Sequence, residues 1–266
     1  MAENQGKWAL ILGASSGMGA AAAREFARAG WNIIGVHLDR RGTMAAVAEV
    51  ISDIRAEGVE AVFHNVNAAD EDKRKQIIAE TVSLLHERGD DGRVVAMLHS
   101  LAFGAIRPFI DMGEGAITPA NFQMTMEVMS NSLVYWTQDL ISSGLMTAGG
   151  RIYAMTSSGT HRVIKQYGAI SMAKAALETN IHQLAIELAP LGITANAIQA
   201  GVTDTPALRK IPDHPNMIAR IIASNPYGRL TTPEDIAKVI VTLAVPATAW
   251  LTGDVIRVDG GEDIVG

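Results

Sequence analysis

The chain has 266 residues, 48% hydrophobic and 19% charged, with a formal net charge of −6 and no cysteine. That length can bury one substantial core, and the missing cysteines exclude disulfides, a thiolate nucleophile and a cysteine metal site. The acidic balance, with no face-sized cluster of Lys and Arg, argues against nucleic acid as a partner. The 7 histidines show no ligand spacing such as H-E-x-x-H, so no metal is expected.

The opening MAENQGK is polar, with no apolar signal segment, and no run of about 18 apolar residues follows it. Neither a leader nor a membrane span is expected, and a cytoplasmic location is the default. Short apolar runs then alternate with longer helical patterns. The runs predict strands at Trp8–Leu12, Asn32–His37, Ala61–His64, Val94–Leu98, Arg151–Met155, Thr194–Ile198 and Val255–Val258. Helices are predicted at Met18–Ala29, Met44–Glu57, Glu71–Glu87, Pro119–Leu145, Tyr167–Ala189 and Pro233–Leu243. Strand-then-helix repetition predicts the α/β class, with a doubly wound parallel sheet covered by helices on both faces. Strands that are apolar throughout agree with burial on both sides. No linker, repeat or low-complexity segment divides the chain, so a single domain over 1–266 is expected. The proline-punctuated stretch 203–228, with the apolar patch MIARII inside it, reads as a substrate-binding flap or as a plain surface insertion.

The first strand runs into LGASSGMG, and an alanine-rich helix starts at once. Gly13, Gly17 and Gly19 let the backbone approach a pyrophosphate, and the helix start supplies amide donors and a partial positive charge. Ser15, Ser16 and Met18 complete this loop, where backbone donors matter more than side chains. Strand before and helix after is the context that turns three glycines from a tight turn into a nucleotide loop.

With G-A-S-S-G-M-G, then I-T-A-N-A-I-Q-A-G-V-T-D-T, then G-D-V-I-R-V-D-G-G near the end, the chain resembles the short-chain dehydrogenases/reductases. The matching pieces span nearly its whole length. The resemblance implies a Rossmann-type sheet of about seven strands, NAD or NADP as cofactor, and commonly a homotetramer. It places His37, at the end of the second strand, where NAD-preferring relatives carry an acid. Asp39, Arg40 and Arg41 follow. Two guanidiniums beside a 2′-phosphate would pair with it bidentately, so NADPH is expected ahead of NADH; a solvated mixed-charge turn is the alternative. In HNVNAAD, Asn65 stands where the family's adenine-edge aspartate is usual, and Val66 is expected against the base.

Ordinary family members place a tyrosine four residues before the lysine. Here Ile170 holds that position before Lys174, and the nearest phenol is Tyr167. In a helix, four positions leave side chains some 40° apart and about 6 Å along the axis; seven leave them about 20° apart and about 10.5 Å along it. Tyr167 is thus expected to face the same side as Lys174 from one turn farther off. A phenol displaced in this way suits conjugate reduction, in which hydride goes to C3 and charge collects on a carbonyl oxygen three bonds away. A plain core aromatic is the other reading of Tyr167. The family usually has N-N-A-G after the fourth strand, where this chain has LHSLAFG, and an asparagine in the fourth helix, where alignment puts Met129 with Asn131 close by. These departures and the six-residue gap between Tyr167 and Lys174 resemble the enoyl-acyl carrier protein reductases.

That resemblance implies a phenol at Tyr167 on the thioester carbonyl, and Lys174 on the cofactor's ribose hydroxyls. Ser157, 17 positions before Lys174, orients substrate or merely ends a strand. Ser100, Leu101 and Ala102 are expected to line the cofactor wall, with Gly201, Val202 and Thr203 near the nicotinamide amide or pyrophosphate. Phe103, Met155 and Met217–Ile222 form an acyl channel or plain core. Arg209, Lys210 and Arg220 face an acidic carrier protein or solvent. The substrate implied is an acyl thioester on acyl carrier protein or coenzyme A. A ketone or alcohol oxidoreductase is the second expectation, and a nucleotide-binding regulator without turnover the third.

Overall fold

The computed structural model describes residues 6–87, 92–113 and 115–265. The polar opening run 1–5 lies outside them.

Seven parallel strands form one sheet: β1 Lys7–Leu12, β2 Asn32–His37, β3 Ala61–Asn65, β4 Arg93–His99, β5 Arg151–Ser157, β6 Thr194–Ala200 and β7 Val255–Val258, in the order β3-β2-β1-β4-β5-β6-β7. The chain winds outward from β1 to β3, then returns to β4 on the other side of β1. A crevice therefore opens beyond the C-terminal ends of β1 and β4, where the winding reverses.

Alternate residues of β1 go to opposite faces, as the period of two demands. Trp8, Leu10 and Leu12 join one core with Trp136, Leu140, Leu177 and Ile181. Ala9 and Ile11 join the other with Phe26, Ile54, Ile236 and Ile240. The first core lies beneath helices α3 Glu71–Glu87, α5 Ser132–Ser142 and α6 Gly168–Leu188; the second lies beneath α1 Gly17–Arg28, α2 Met44–Ala56 and α8 Pro233–Leu243. Helix α1 is buried through four successive alanines, Ala20–Ala23, so it packs close on both the sheet and α8. Trp136 fills the opposite core and keeps its indole satisfied by donating to the Ala68 carbonyl at 2.8 Å. Burying a large apolar side chain of this kind contributes about 1.5–3 kcal/mol.

The expected helix Pro119–Leu145 is not one α-helix. It comprises α4 Pro119–Met126, a π turn over Glu127–Asn131, and α5. Gly144, at φ +75°, reverses the chain before Leu145. The strands reach farther than apolarity predicted: β5 ends on Thr156 and Ser157, β6 on Gln199 and Ala200. The helical patch within 203–228 forms α7 His214–Ser224. No helix among the described residues is long and apolar enough to cross a membrane. No group of three His, Cys, Asp or Glu among them could hold a metal.

Candidate active site

The glycine loop sits at the mouth of the crevice. A Cβ on Gly19 would lie 2.1 Å from the Gly13 carbonyl oxygen, and one on Gly13 would lie 2.5 Å from that of Ser100. The loop is therefore a bare-backbone cradle packed against the end of β4. Amides of Gly13 and Ala14 are held by the Val36 carbonyl. Ser16, the N-cap of α1, makes no side-chain cap, so the first-turn amides at Gly17, Met18 and Gly19 remain for an anion. Thr205 lies over Gly17, bringing the loop after β6 across the phosphate position. These features fit a dinucleotide.

At the end of β2 the structure rearranges the expected roles. His37 is buried and its Nδ1 stands 3.0 Å from the Asp39 carboxylate, which it supports from below. Asn65 is engaged within the protein. Its side chain clamps the Asp39 backbone, accepting from the amide at 2.9 Å and donating to the carbonyl at 3.0 Å. The Asp39 carboxylate is further held by Thr43 Oγ1 at 2.7 Å and by Ser15 of the glycine loop. Burial draws its pKa up, but the hydrogen bonds from Ser15, Thr43 and His37 outweigh this and leave it below the usual carboxylate value. Arg40 and Arg41 are exposed just beyond. Val66 is half-buried, its amide donating to the His37 carbonyl.

Tyr167 lies just outside α6, as its N-cap, and its carbonyl accepts the Ser171 amide at 2.9 Å. The preceding Gln166 takes a left-handed φ of +62°, a strained conformation for a side chain of this kind. The Tyr167 ring lies on Gly159, where a Cβ would meet Cε1 at 3.0 Å. Its hydroxyl is hydrogen-bonded to Ser157; burial raises the phenol's pKa and the Ser157 bond opposes the rise. Ser157 Oγ also accepts the Gly159 amide at 2.9 Å. Lys174 is 5% exposed, and its Nζ donates to the carbonyls of Met155 at 2.6 Å and Leu101 at 3.4 Å. Burial lowers its pKa to about 8, against a smaller upward pull from Glu178.

The position that resemblance reserved for a tyrosine is apolar. Ile170 is buried with Val128, Met129 and Ala173. Asn131 turns aside to donate to Glu127 at 2.9 Å, so neither candidate on the fourth helix offers an amide to Lys174. At the end of β4, His99 is fully buried. Ser132 donates its proton to the Val128 carbonyl, so its Oγ must accept from His99 Nε2 at 2.8 Å and Nε2 carries the imidazole proton. Nδ1 has no partner. Burial, then the charge of Lys174, lower the imidazole's pKa to about 3, which leaves it neutral.

Around this cluster lies an apolar mouth. Phe109 covers Gly168, where a Cβ would meet its ring at 2.5 Å, and Gly104 is wedged against Ile170 and Met129. Phe103 is exposed with Lys210 above its ring at 5.9 Å. Met217 and Ile221 of α7 are half-buried, whereas Met155 belongs to the core. Ser100 and Leu101 border the crevice and Ala102 is exposed beside them. Arg209 is paired with Asp204 at 2.8 Å. Gly201 has no room for a side chain beside Thr231 and Glu262, and the Val202 amide is taken by the Glu262 carboxylate at 2.9 Å. Thr203 is buried and donates to the Gly201 carbonyl. Asp39, two positions past the end of β2, was named by the sequence only as following His37, and His99, Glu178 and Glu262 were given no role there; their parts show only in the fold.

A family model described as enoyl-(acyl carrier protein) reductase matches residues 13–262. The chain is 30% identical to the enoyl-acyl-carrier-protein reductase (NADH) of Escherichia coli over 167 residues, which cover 63% of each protein. It is also 30% identical to the 3-oxoacyl-acyl-carrier-protein reductase of Pseudomonas aeruginosa, over 97% of each. Among solved structures, an angucycline C-6 ketoreductase with bound NADP superposes with a TM-score of 0.84 at 26% identity, covering 97% of this chain and 96% of that one.

Proposed function

The chain belongs to the short-chain dehydrogenase/reductase family, in its enoyl-acyl carrier protein reductase-like branch, and on that premise we propose that this oxidoreductase reduces the C2–C3 double bond of an enoyl thioester. The observation that carries the reading is the pairing of Ile170 with Tyr167: the position four before Lys174 is apolar, and the phenol nearest to it in the chain stands at the helix entrance. The nicotinamide cofactor, when bound, supplies the hydride. As hydride reaches C3, negative charge collects on the thioester oxygen. The Tyr167 hydroxyl donates to that oxygen, and a donor fixed where charge develops lowers the barrier. The enolate then takes up a proton from solvent at C2, which completes the reduction. Ser157 orients the phenol through their hydrogen bond. Lys174, held by two backbone carbonyls, presents its remaining proton to the ribose hydroxyls. Phe103 and Phe109 exclude water from the acyl chain.

NAD(P)H is the family's cofactor. For this chain the Asp39 carboxylate, fixed against Ser15, favours NADH over the NADPH expected from Arg40 and Arg41. A carboxylate there accepts from a ribose 2′-hydroxyl and repels a 2′-phosphate.

The hydrogen bond between Ser157 and Tyr167 favours a second reading, carbonyl reduction, because two hydroxyls can share one ketone oxygen. Oxidation of NADH and NADPH with crotonyl-coenzyme A and with acetoacetyl-coenzyme A separates the two. Turnover of crotonyl-coenzyme A is expected; turnover of acetoacetyl-coenzyme A alone would transfer the assignment to ketone reduction.

A further inference from the structure

Lys174 is enclosed unevenly. Toward α4 and the π turn its neighbourhood is apolar, with Val128, Met129, Ile170 and Ala173. Toward β4 it meets His99, a neutral group. Toward β5 it meets the Met155 carbonyl. The charge of opposite sign that acts on it comes from its own helix, from Glu178, one turn later. Residues four apart on a helix share a face.

Glu178 is itself held. Thr156, the residue before Ser157, points to the α6 side of the sheet and donates its Oγ1 proton to Glu178 Oε1 at 2.6 Å. Beyond Glu178 a polar cavity of about 450 Å³ opens to solvent, lined also by Thr160, His161, Gln199, Arg257 and Asp263. The charge of Asp263 is already matched by His161 at 2.9 Å, Arg162 at 2.8 Å and a hydrogen bond from Gln199 at 3.1 Å; Arg257 stands 3.7 Å from it. Lys174 and Glu178 are thus anchored on successive residues of β5, the ammonium on the Met155 carbonyl and the carboxylate on the Thr156 hydroxyl.

We propose that Glu178 is a positioning residue for Lys174: its carboxylate, aimed by Thr156, holds the buried ammonium in its charged form, and the cavity behind it lets that pair exchange protons with solvent. The inference rests on the reading in which Lys174 binds the ribose and needs its charge to do so. The charge state itself belongs to the protein and can be followed without substrate.

Glu178→Gln keeps an acceptor for Thr156 and removes the charge. With the opposing influence gone, burial acts alone and the Lys174 midpoint is expected to fall. The test titrates ¹³Cε-labelled lysines by NMR in the full chain, with the Lys174 resonance assigned by its loss in Lys174→Met. In Glu178→Gln the midpoint is expected to fall by about one unit, and Glu178→Asp to restore most of it. The alkaline limb of kcat/KM should move the same way, so that activity lost at pH 9 exceeds that lost at pH 6.5 by about tenfold. A purely structural Glu178 would instead lower the melting temperature and scale activity equally at every pH. An unmoved midpoint overturns the inference. A midpoint that moves while the rate profile shows no alkaline limb supports the inference and overturns the place of Lys174 in turnover. Should Glu178→Gln not fold, Thr156→Val is expected to move the midpoint by a smaller step in the same direction, and no step overturns the proposal.

Discussion

At the end of β1 the backbone itself forms the candidate cofactor cradle, whereas around Tyr167 side chains from separate elements do the holding. The glycine loop is built from neighbours: Gly13 and Ala14 donate to Val36, and Gly19 rests on the Gly13 carbonyl. The region around Tyr167 is assembled from afar, with Lys174 tied to Leu101 across 73 positions and His99 to Ser132 across 33. A backbone cradle tolerates no added atoms but needs no chosen side chain. A side-chain cluster tolerates small changes of volume but depends on the charge and hydrogen bonding of each member. The first should therefore fail by sterics and the second by chemistry.

The sharpest way to break the contrast is Gly19→Ala. Its methyl would sit 2.1 Å from a backbone oxygen, so the loop must shift; NADH affinity, read by fluorescence titration, should fall about 100-fold or more while circular dichroism keeps its α/β signature. Next in size is Tyr167→Phe. It removes one hydroxyl and no volume to speak of, so NADH affinity should hold while kcat falls about 100-fold, the usual cost of one lost charge-stabilising donor. If cofactor binding falls as well, the two halves are more tightly coupled than their construction suggests. The smallest step is Asp39→Ser, which changes a charge at the border of the cradle. It should raise the ratio of kcat/KM for NADPH over NADH by about tenfold, worth about 1.4 kcal/mol. An unchanged ratio would return the discrimination to Arg40 and Arg41.

The same contrast decides what was legible in the sequence. The sheet could be read because its strands are apolar on both faces, and the glycine loop because its parts are contiguous. What escaped was the polar end of each strand. Apolar runs stop at Met155 and Ile198, yet the strands continue through Thr156, Ser157, Gln199 and Ala200 into the site. Glu178 reads as an ordinary helix glutamate until Thr156 is placed opposite it. His37 looked like a cofactor contact because register gives a position in the strand; burial beside Phe63 and the bond to Asp39 appear only in the fold. The fourth helix was expected without its π turn, since one extra residue in a turn leaves little trace in an apolar pattern.

The strained Gln166 bears on how such a site can change its chemistry over time. Because Tyr167 caps α6 instead of belonging to it, its direction is set by the approach segment 158–166 and by one left-handed residue, not by helical phase. The distance between the Tyr167 phenol and the Lys174 ammonium is then adjustable by editing a surface loop, while the helix that carries the lysine keeps its packing. Divergence between reactions on this scaffold need not disturb the core at all: lengthening or relaxing that loop would re-aim the donor, and a glycine at 166 would remove the hold that now keeps it in one place.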